Sequence, residues 1–370
     1  MKLFDPIRLR GLSLANRIVV SPMCQYSARD GCATDWHLVH WAQMMMSGAS
    51  MFTIEATGVT AEGRISPGDL GLYDDACEEA VARNLARARA QCPPIAVAMQ
   101  LAHAGRKASS RPPWEGGTLI SPADGGWTPV APSALAHGEH EPPPTALDHA
   151  ALAGVRDAFV ASARRAERSG IDALELHMAH GYLMHEFLSP IANRRTDRYG
   201  GDFESRIRFP LEVFDAVRAA WPAGRPLGVR LSCTDWVDGG WTLEQSVEFA
   251  RRLVARGVDF IDASSGGVSP HQQIPLAPGY QVGFAGEIRR ASGATTIAVG
   301  LITSAEQAAS IIASGDADMV AMARAFLWDP RWAWHAAVAL GASVVPPPQY
   351  TRAAPRGTGD VFAAAAIAQR

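Results

Sequence analysis

The sequence predicts one α/β domain folded as a (β/α)8 TIM barrel, and three observations carry that prediction. Eight short β-rich runs alternate with amphipathic segments rich in Arg and Ala, the pattern of repeated βα units around a parallel sheet. At 370 residues the chain is long for an ordinary domain, yet α/β barrels reach such lengths as a single unit. Apolar residues make up 48% and charged residues 19%, which supplies an ample core for a globular protein.

Residues 7–14, turning at Arg10-Gly11, come first and form a small hairpin that closes the barrel floor. The strands fall at 18–20, 51–55, 95–99, 173–176, 227–231, 260–263, 296–299 and 319–322. Helices between them fall at 36–47, 76–90, 151–169, 206–220, 243–256, 286–292 and 305–314. The interval between the third and fourth strands holds Arg111-Pro112-Pro113-Trp114-Glu115-Gly116-Gly117 and the Pro-rich 141–144. So many helix breakers predict an excursion over the barrel mouth. The Ala-rich end, 362–369, reads as a short terminal helix or a frayed tail. Residues 1–345 form the barrel and 346–370 a C-terminal extension.

Composition narrows the function classes. A formal net charge of −3 offers no basic surface for nucleic acid. The start, Met1-Lys2-Leu3-Phe4-Asp5-Pro6, lacks the apolar run of a signal peptide. No stretch of about 18 apolar residues suggests a membrane span, so the expectation is a cytoplasmic protein. Cys24, Cys32, Cys77, Cys92 and Cys233 form no C-x-x-C pair and are odd in number, which argues against disulfides and iron–sulfur clusters. Two of the 34 basic residues are lysines, Lys2 and Lys107, leaving 32 arginines, so Lys107 is the one internal lysine. A position that wants a compact ammonium on a flexible stem would retain it, and so would chance.

Active sites of this fold sit at the strand C-terminal ends, so the residues just beyond each strand decide the functional reading. The fourth strand runs into His177-Met178-Ala179-His180-Gly181-Tyr182. Two imidazoles and a phenol in six residues suit an activated carbonyl: neutral imidazole N–H groups take up charge on oxygen, and the phenol delivers a proton nearby. The competing account is a zinc site, since His-x-x-His can coordinate metal, but no third ligand cluster with matching spacing stands out. The other strands run into Ser21-Pro22-Met23-Cys24-Gln25-Tyr26, Ala56-Thr57, Gln100 with His103 and Lys107, Arg230, Ser264-Ser265-Gly266-Gly267, Gly300 and Ala323-Arg324. Gly300 and Ala323-Arg324 come after strands seven and eight, where barrels bind phosphate. Arg230 and Gln100 suit the edge of a heteroaromatic ring, which together suggests a flat, phosphate-bearing cofactor. A barrel rim with merely solvated polar ends is the plainer alternative.

These motifs, with Gln100-Leu101-Ala102-His103-Ala104-Gly105-Arg106-Lys107, Phe187-Leu188-Ser189-Pro190 and Asn193-Arg194-Arg195-Thr196-Asp197-Arg198-Tyr199-Gly200-Gly201, resemble the Old Yellow Enzyme family of flavin-dependent ene-reductases. The resemblance runs from Leu3 to about Arg356. Cys24, where other members have threonine, and Gln349-Tyr350-Thr351-Arg352 place the chain near the thermophilic-like branch of xenobiotic reductases and NADPH dehydrogenases.

The resemblance implies FMN across the barrel mouth and NADPH or NADH as hydride donor in the same cavity. It sets Ser21, Pro22, Met23, Cys24 and Ala56 along the ring, Gln100 at the pyrimidine edge and Arg230 at N1/O2. Gly300, Ala323 and Arg324 take the phosphate. His177 and His180 hold the oxygen of an activated alkene, reduced N5 attacks the β-carbon, and Tyr182 protonates the α-carbon. Such alkenes include enones, enals, maleimides and nitro compounds. Tyr26 and Lys107 help bind substrate. Arg352 enters the neighbouring subunit's site, which makes the chain a homodimer or dimer-based oligomer. Three departures from common relatives stand out: Ala323 replaces glycine, Thr351 replaces tryptophan, and Met178 lies where smaller residues are frequent. Two alternatives are a Schiff-base aldolase using Lys107 and a non-catalytic flavin-binding barrel. The absence of a G-x-G-x-x-G fingerprint fits a nicotinamide that shares the flavin's cavity.

Overall fold

The computed structural model describes residues 2–362. The chain opens with an antiparallel hairpin, β1 (Ile7–Leu9) and β2 (Leu12–Leu14), paired Ile7 to Leu14 and turning at Arg10 with φ 51°. Its Leu9 and Leu14 are buried with Val19, Met51, Ala98, Ala173, Phe260, Ile297 and Met319, so the hairpin plugs the barrel floor as its sequence suggests.

The barrel begins at β3 (Ile18–Val20), β4 (Met51–Gly58) and β5 (Ala96–Ala102). The excursion after β5 carries a two-residue pair, β6 (Val130–Ala131) and β7 (Thr145–Ala146). The barrel resumes with β8 (Ala173–Met178), β9 (Leu227–Ser232), β10 (Phe260–Ser264), β11 (Thr296–Ala298) and β12 (Met319–Met322). These eight strands close in the order β3-β4-β5-β8-β9-β10-β11-β12, with β12 pairing back onto β3 in parallel. Phe260 fills the lumen opposite Gly228, where a Cβ would stand 2.2 Å from the ring, so the small residue on β9 makes room for the large one on β10.

Around the barrel lie α1 (Asp35–Met45), α2 (Asp75–Arg89), α3 (His149–Arg168), α4 (Leu183–Leu188), α5 (Phe203–Ala220), α6 (Leu243–Val254), α7 (Val282–Ser292), α8 (Ala305–Ser314), α9 (Arg324–Trp328) and α10 (Trp332–Leu340). Caps set several of their starts: Asp74, Asp148, Asp202, Thr242 and Ser304 each accept the backbone N–H three residues on. All seven helices expected from sequence are present. Helices α4, α9 and α10 were not expected. The last, Trp-Ala-Trp-His-Ala-Ala-Val-Ala-Leu, is apolar at every position but His335, so it shows no period to read.

Five strands run past their expected ends, β4 to Gly58, β5 to Ala102, β8 to Met178, β9 to Ser232 and β10 to Ser264. Ala56, Gln100 and His177 therefore lie within strands. Their polar neighbours read as loop because they face the mouth. The described part of the extension folds back on α10: Val344 N–H donates to Val361 O at 2.8 Å, and Tyr350 and Phe362 pack on Trp334. Residues Pro348–Tyr350 form a 3-10 turn in place of the extended run that the prolines suggest. The Ala-rich end, apart from Phe362, lies outside the described residues.

Candidate active site

The C-terminal end of β8 turns sharply. His180 and Gly181 both take left-handed backbone, φ 60° and 74°. A Cβ on residue 181 would stand 2.1 Å from Gly267 O, so only glycine fits between this turn and the loop after β10. The non-glycine residue at positive φ is held by its neighbours. Ser232 Oγ accepts the His180 N–H at 2.9 Å, and Lys107 Nζ donates to His180 O at 2.8 Å and to Gly267 O at 3.2 Å. Strain of this kind costs about 1–3 kcal/mol and persists only where its surroundings enforce it.

The turn brings three rings together. His177 stands edge-on to His180 at 5.1 Å and to Tyr182 at 4.9 Å between ring centres. His177 Nδ1 accepts the Ala179 N–H at 3.3 Å, which leaves its hydrogen on Nε2. His180 Nε2 lies 2.7 Å from Ser264 Oγ. Burial, then the Arg230 charge, pushes both imidazoles well below their ordinary range, so both are neutral. Burial likewise holds the Tyr182 phenol well above its usual range, so it keeps its proton.

Beneath the rings lies a polar layer contributed by adjacent strands. Gln100 stands opposite Glu175 across β5 and β8, and Arg230 opposite both His177 and Asp262 across β8, β9 and β10. Gln100 Nε2 donates to Glu175 Oε1 at 2.6 Å. Arg230 Nε lies 3.2 Å from Asp262 Oδ2, close enough for charge attraction but not aligned as a hydrogen bond. Burial drives the Glu175 carboxyl upward, with Asp262 adding to it, and burial raises Asp262 against the pull of Arg230. The Arg230 side chain is half-buried with its Nε–H buried and unpaired, a donor that a ligand atom carrying negative charge would satisfy.

The phosphate residues expected from sequence share one cavity of about 210 Å³, lined among others by Ser21, Arg230, Gly300, Ala323 and Arg324. Gly300 has φ 107° and Leu301 φ 53°, so the chain leaves β11 through left-handed backbone at the cavity wall. Space is tight there too: a Cβ on residue 300 would meet the Gln281 side chain at 2.8 Å. The cavity also has Ser264, Tyr280 and Gln281 on its walls, and Gln281 Oε1 accepts from Ser265 Oγ at 2.6 Å. A flat heteroaromatic ring with a phosphate tail fits this donor set.

The segment after β3 forms the remaining wall. Burial, with Asp69 and Glu55 adding, pushes the Cys24 thiol well up, so it stays protonated. Glu55 of β4 accepts Gln25 N–H at 2.5 Å and lies 3.1 Å from His37 Nε2, which ties the wall to α1. Ala56 is buried beside it. Pro22 and Met23 are half-buried. Tyr26 packs edge-on against Trp114 of the excursion at 5.3 Å, which brings that excursion over the wall at the mouth. Arg352 lies exposed on the extension.

Several residues of this site escaped the sequence reading. Glu175 and Asp262 sit inside apolar strands, and a lone charge within a buried barrel strand was the signal available for them. Ser232 and Gln281 carried none. Among the described residues, no helix is long and apolar enough to cross a membrane.

Comparison with known proteins agrees with this chemistry. Residues 2–341 match the NADH:flavin oxidoreductase / NADH oxidase family. An NADPH dehydrogenase of Geobacillus thermodenitrificans is 43% identical over 352 residues, 95% of this chain and 98% of the relative. Morphinone reductase in complex with tetrahydroNAD superposes with a TM-score of 0.75 at 28% identity, covering 94% of this chain and 93% of that one. A 2-naphthoyl-CoA reductase complexed with 2-naphthoyl-CoA shares the fold, with a TM-score of 0.81 at 22% identity, and the chain spans 54% of its length. The chain belongs to the NADH:flavin oxidoreductase family, as an FMN-dependent, nicotinamide-fed oxidoreductase of the Old Yellow Enzyme type.

Proposed function

We propose that the enzyme reduces the C=C bond of activated alkenes such as enones, enals, maleimides and nitroalkenes, with Tyr182 as proton donor. The observation that carries this reading is the grouping of two neutral imidazoles and one protonated phenol, with His177 within 5.1 Å of both other rings, above Arg230. When bound, FMN supplies a two-electron carrier between the nicotinamide and the alkene. His177 Nε2–H and the His180 ring hold the substrate's electron-withdrawing oxygen, and because they are neutral they donate hydrogen bonds without delivering a full charge. Tyr182 O–H gives its proton to the α-carbon and recovers one from solvent, while Arg230 balances negative charge at the ring edge. The same cavity receives the nicotinamide first and the alkene second, a ping-pong order.

Lys107 directs its amine to two backbone carbonyls, so as a substrate ligand it acts through the turn that it holds. The match to flavin oxidoreductases displaces the aldolase alternative for this lysine. We further propose a homodimer in which Arg352 completes the partner's pocket. Support comes from the exposure of Arg352 and from the large apolar side chains left uncovered at Trp36, Val39, Leu327 and Trp328.

An anaerobic stopped-flow experiment tests the activity. NADPH or NADH should bleach the yellow protein, and an enone should restore the colour within seconds. A protein bleached by nicotinamide but reoxidised only by oxygen, across a panel of enones, maleimides and nitroalkenes, defeats the proposal.

A further inference from the structure

The strained pair His180–Gly181 has one more holder, which lies outside the ring cluster, the polar layer and the phosphate cavity. His185 on α4 accepts the Gly181 N–H at Nδ1, 2.9 Å away, so Nδ1 carries no proton and the ring's hydrogen sits on Nε2. Nε2 faces Asp235 Oδ1 at 2.8 Å. The other oxygen of Asp235 accepts the Ser189 hydroxyl at 2.6 Å and the Trp241 N–H at 2.7 Å. Both side chains are fully buried, 0% exposed. Burial works to raise the Asp235 carboxyl, and His185, Ser189 and Trp241 outweigh it, holding it below its ordinary range. Each donor meets one acceptor along this chain, so connectivity alone determines the tautomer.

We propose that His185 and Asp235 form a positioning dyad that orients His180 and Tyr182, and thereby aligns the substrate's oxygen with its proton donor. The proposal rests on the reading that His180 binds that oxygen and Tyr182 protonates the carbon. Gly181 is the residue between these two, and its N–H is buried. Without an acceptor there, the turn would rotate to find one, and both flanking side chains would move with it. The carboxylate fixes which imidazole nitrogen accepts, as outer partners do for working histidines elsewhere.

Three variants and one spectrum test the dyad. His185→Leu removes the acceptor. Asp235→Asn cannot serve both sides, because His185 Nε2–H and Trp241 N–H each need an acceptor and an amide offers one oxygen. His185→Asn returns an oxygen near the Nδ1 position. In holoprotein with normal flavin content, the first two should weaken binding of a phenol, read by its charge-transfer band, about tenfold or more. They should slow flavin reoxidation by an enone by a similar factor, and His185→Asn should recover most of both. Independently of flavin, the 15N shifts of the His185 ring should show a proton on Nε2 and none on Nδ1. A protonated Nδ1, or folded variants with wild-type phenol affinity and reoxidation rate, overturns the dyad. If His185→Leu fails to fold, Asp235→Asn and the spectrum decide. A wild-type protein that binds no phenol and is not reoxidised by enone overturns the underlying reading of the site, and the positioning role with it.

Discussion

Lys107 Nζ lies 5.0 Å from the centre of the Tyr182 ring, above its face, while donating to the carbonyls of His180 and Gly267. The one internal lysine of an arginine-rich chain thus holds two backbone segments together and faces the phenol of Tyr182, the proposed proton donor, with a positive charge. A tetrahedral ammonium can address two carbonyls and a ring face at once, where a planar guanidinium would present its donors in one plane.

That charge titrates within reach of ordinary assays. Burial lowers the Lys107 amine to about 8, against the opposing pull of Glu186, with Arg106 lowering it further and Glu141 raising it. The ammonium is present below that value and lost above it. Alkene-driven flavin reoxidation should therefore fall as pH rises through about 8, while His177, His180 and Tyr182 keep their protonation states. Glu186 is itself raised to about 8 by burial, so the lysine must be isolated by substitution. In Lys107→Met the rate should be lower at pH 7 and flat across this limb. A limb that survives in the variant assigns it to Glu186 or another group.

Tyr182→Phe removes the hydroxyl proposed as proton donor and leaves the ring that packs against His177. Flavin reduction by nicotinamide should stay within about threefold of wild type, and reoxidation by enone should drop by about 100-fold, the usual scale of general-acid help. Rapid-mixing measurements of the two half-reactions check this. Equal losses in both halves would remove Tyr182 from the donor role.

The barrel was legible because each strand begins as an apolar run bounded by loop residues, and the hairpin because Leu9 and Leu14 bracket an Arg-Gly turn. Strand ends were less so: Gln100 and His177 continue their strands as polar residues facing the mouth. Gly300, Ala323 and Arg324, expected at the phosphate from their order after the last two strands, share a cavity. The supports were not readable. His185 and Asp235 are 50 residues apart and Lys107 and His180 are 73 apart, so no local spacing links them. Only the closed barrel brings them into one cluster.

If the cavity at Gly300 and Arg324 holds the FMN phosphate, Arg324→Ala removes a charge-assisted contact to it, and Gly300→Ala drives a Cβ into Gln281 while straining a φ of 107°. Each should weaken FMN binding by about 10- to 100-fold, the range set by about 1.5–3 kcal/mol for a hydrogen bond to a charged group. Titration of apoprotein by flavin fluorescence measures this directly. The effect on enone reoxidation in saturating FMN should be small, since neither residue belongs to the His177–His180–Tyr182 ring cluster.

A shared site would join Arg352 to Tyr182 across a dimer. Arg352 is exposed on the extension that folds over α10, and a second chain would give it a pocket to enter. Arg352→Ala should lower enone reduction with little change in folding, and Tyr182→Phe should lower it through the proton. If each site takes Tyr182 from one chain and Arg352 from the other, a mixed dimer of the two variants holds one site with both defects and one with neither. Subunit exchange in an equimolar mixture should then raise activity toward about a quarter of the wild-type value, since half of the dimers become mixed and one site in two of those is intact. Sites built within a single chain keep one defect each, so mixing would restore nothing, and a fully active monomer by size analysis would dispose of the shared site altogether.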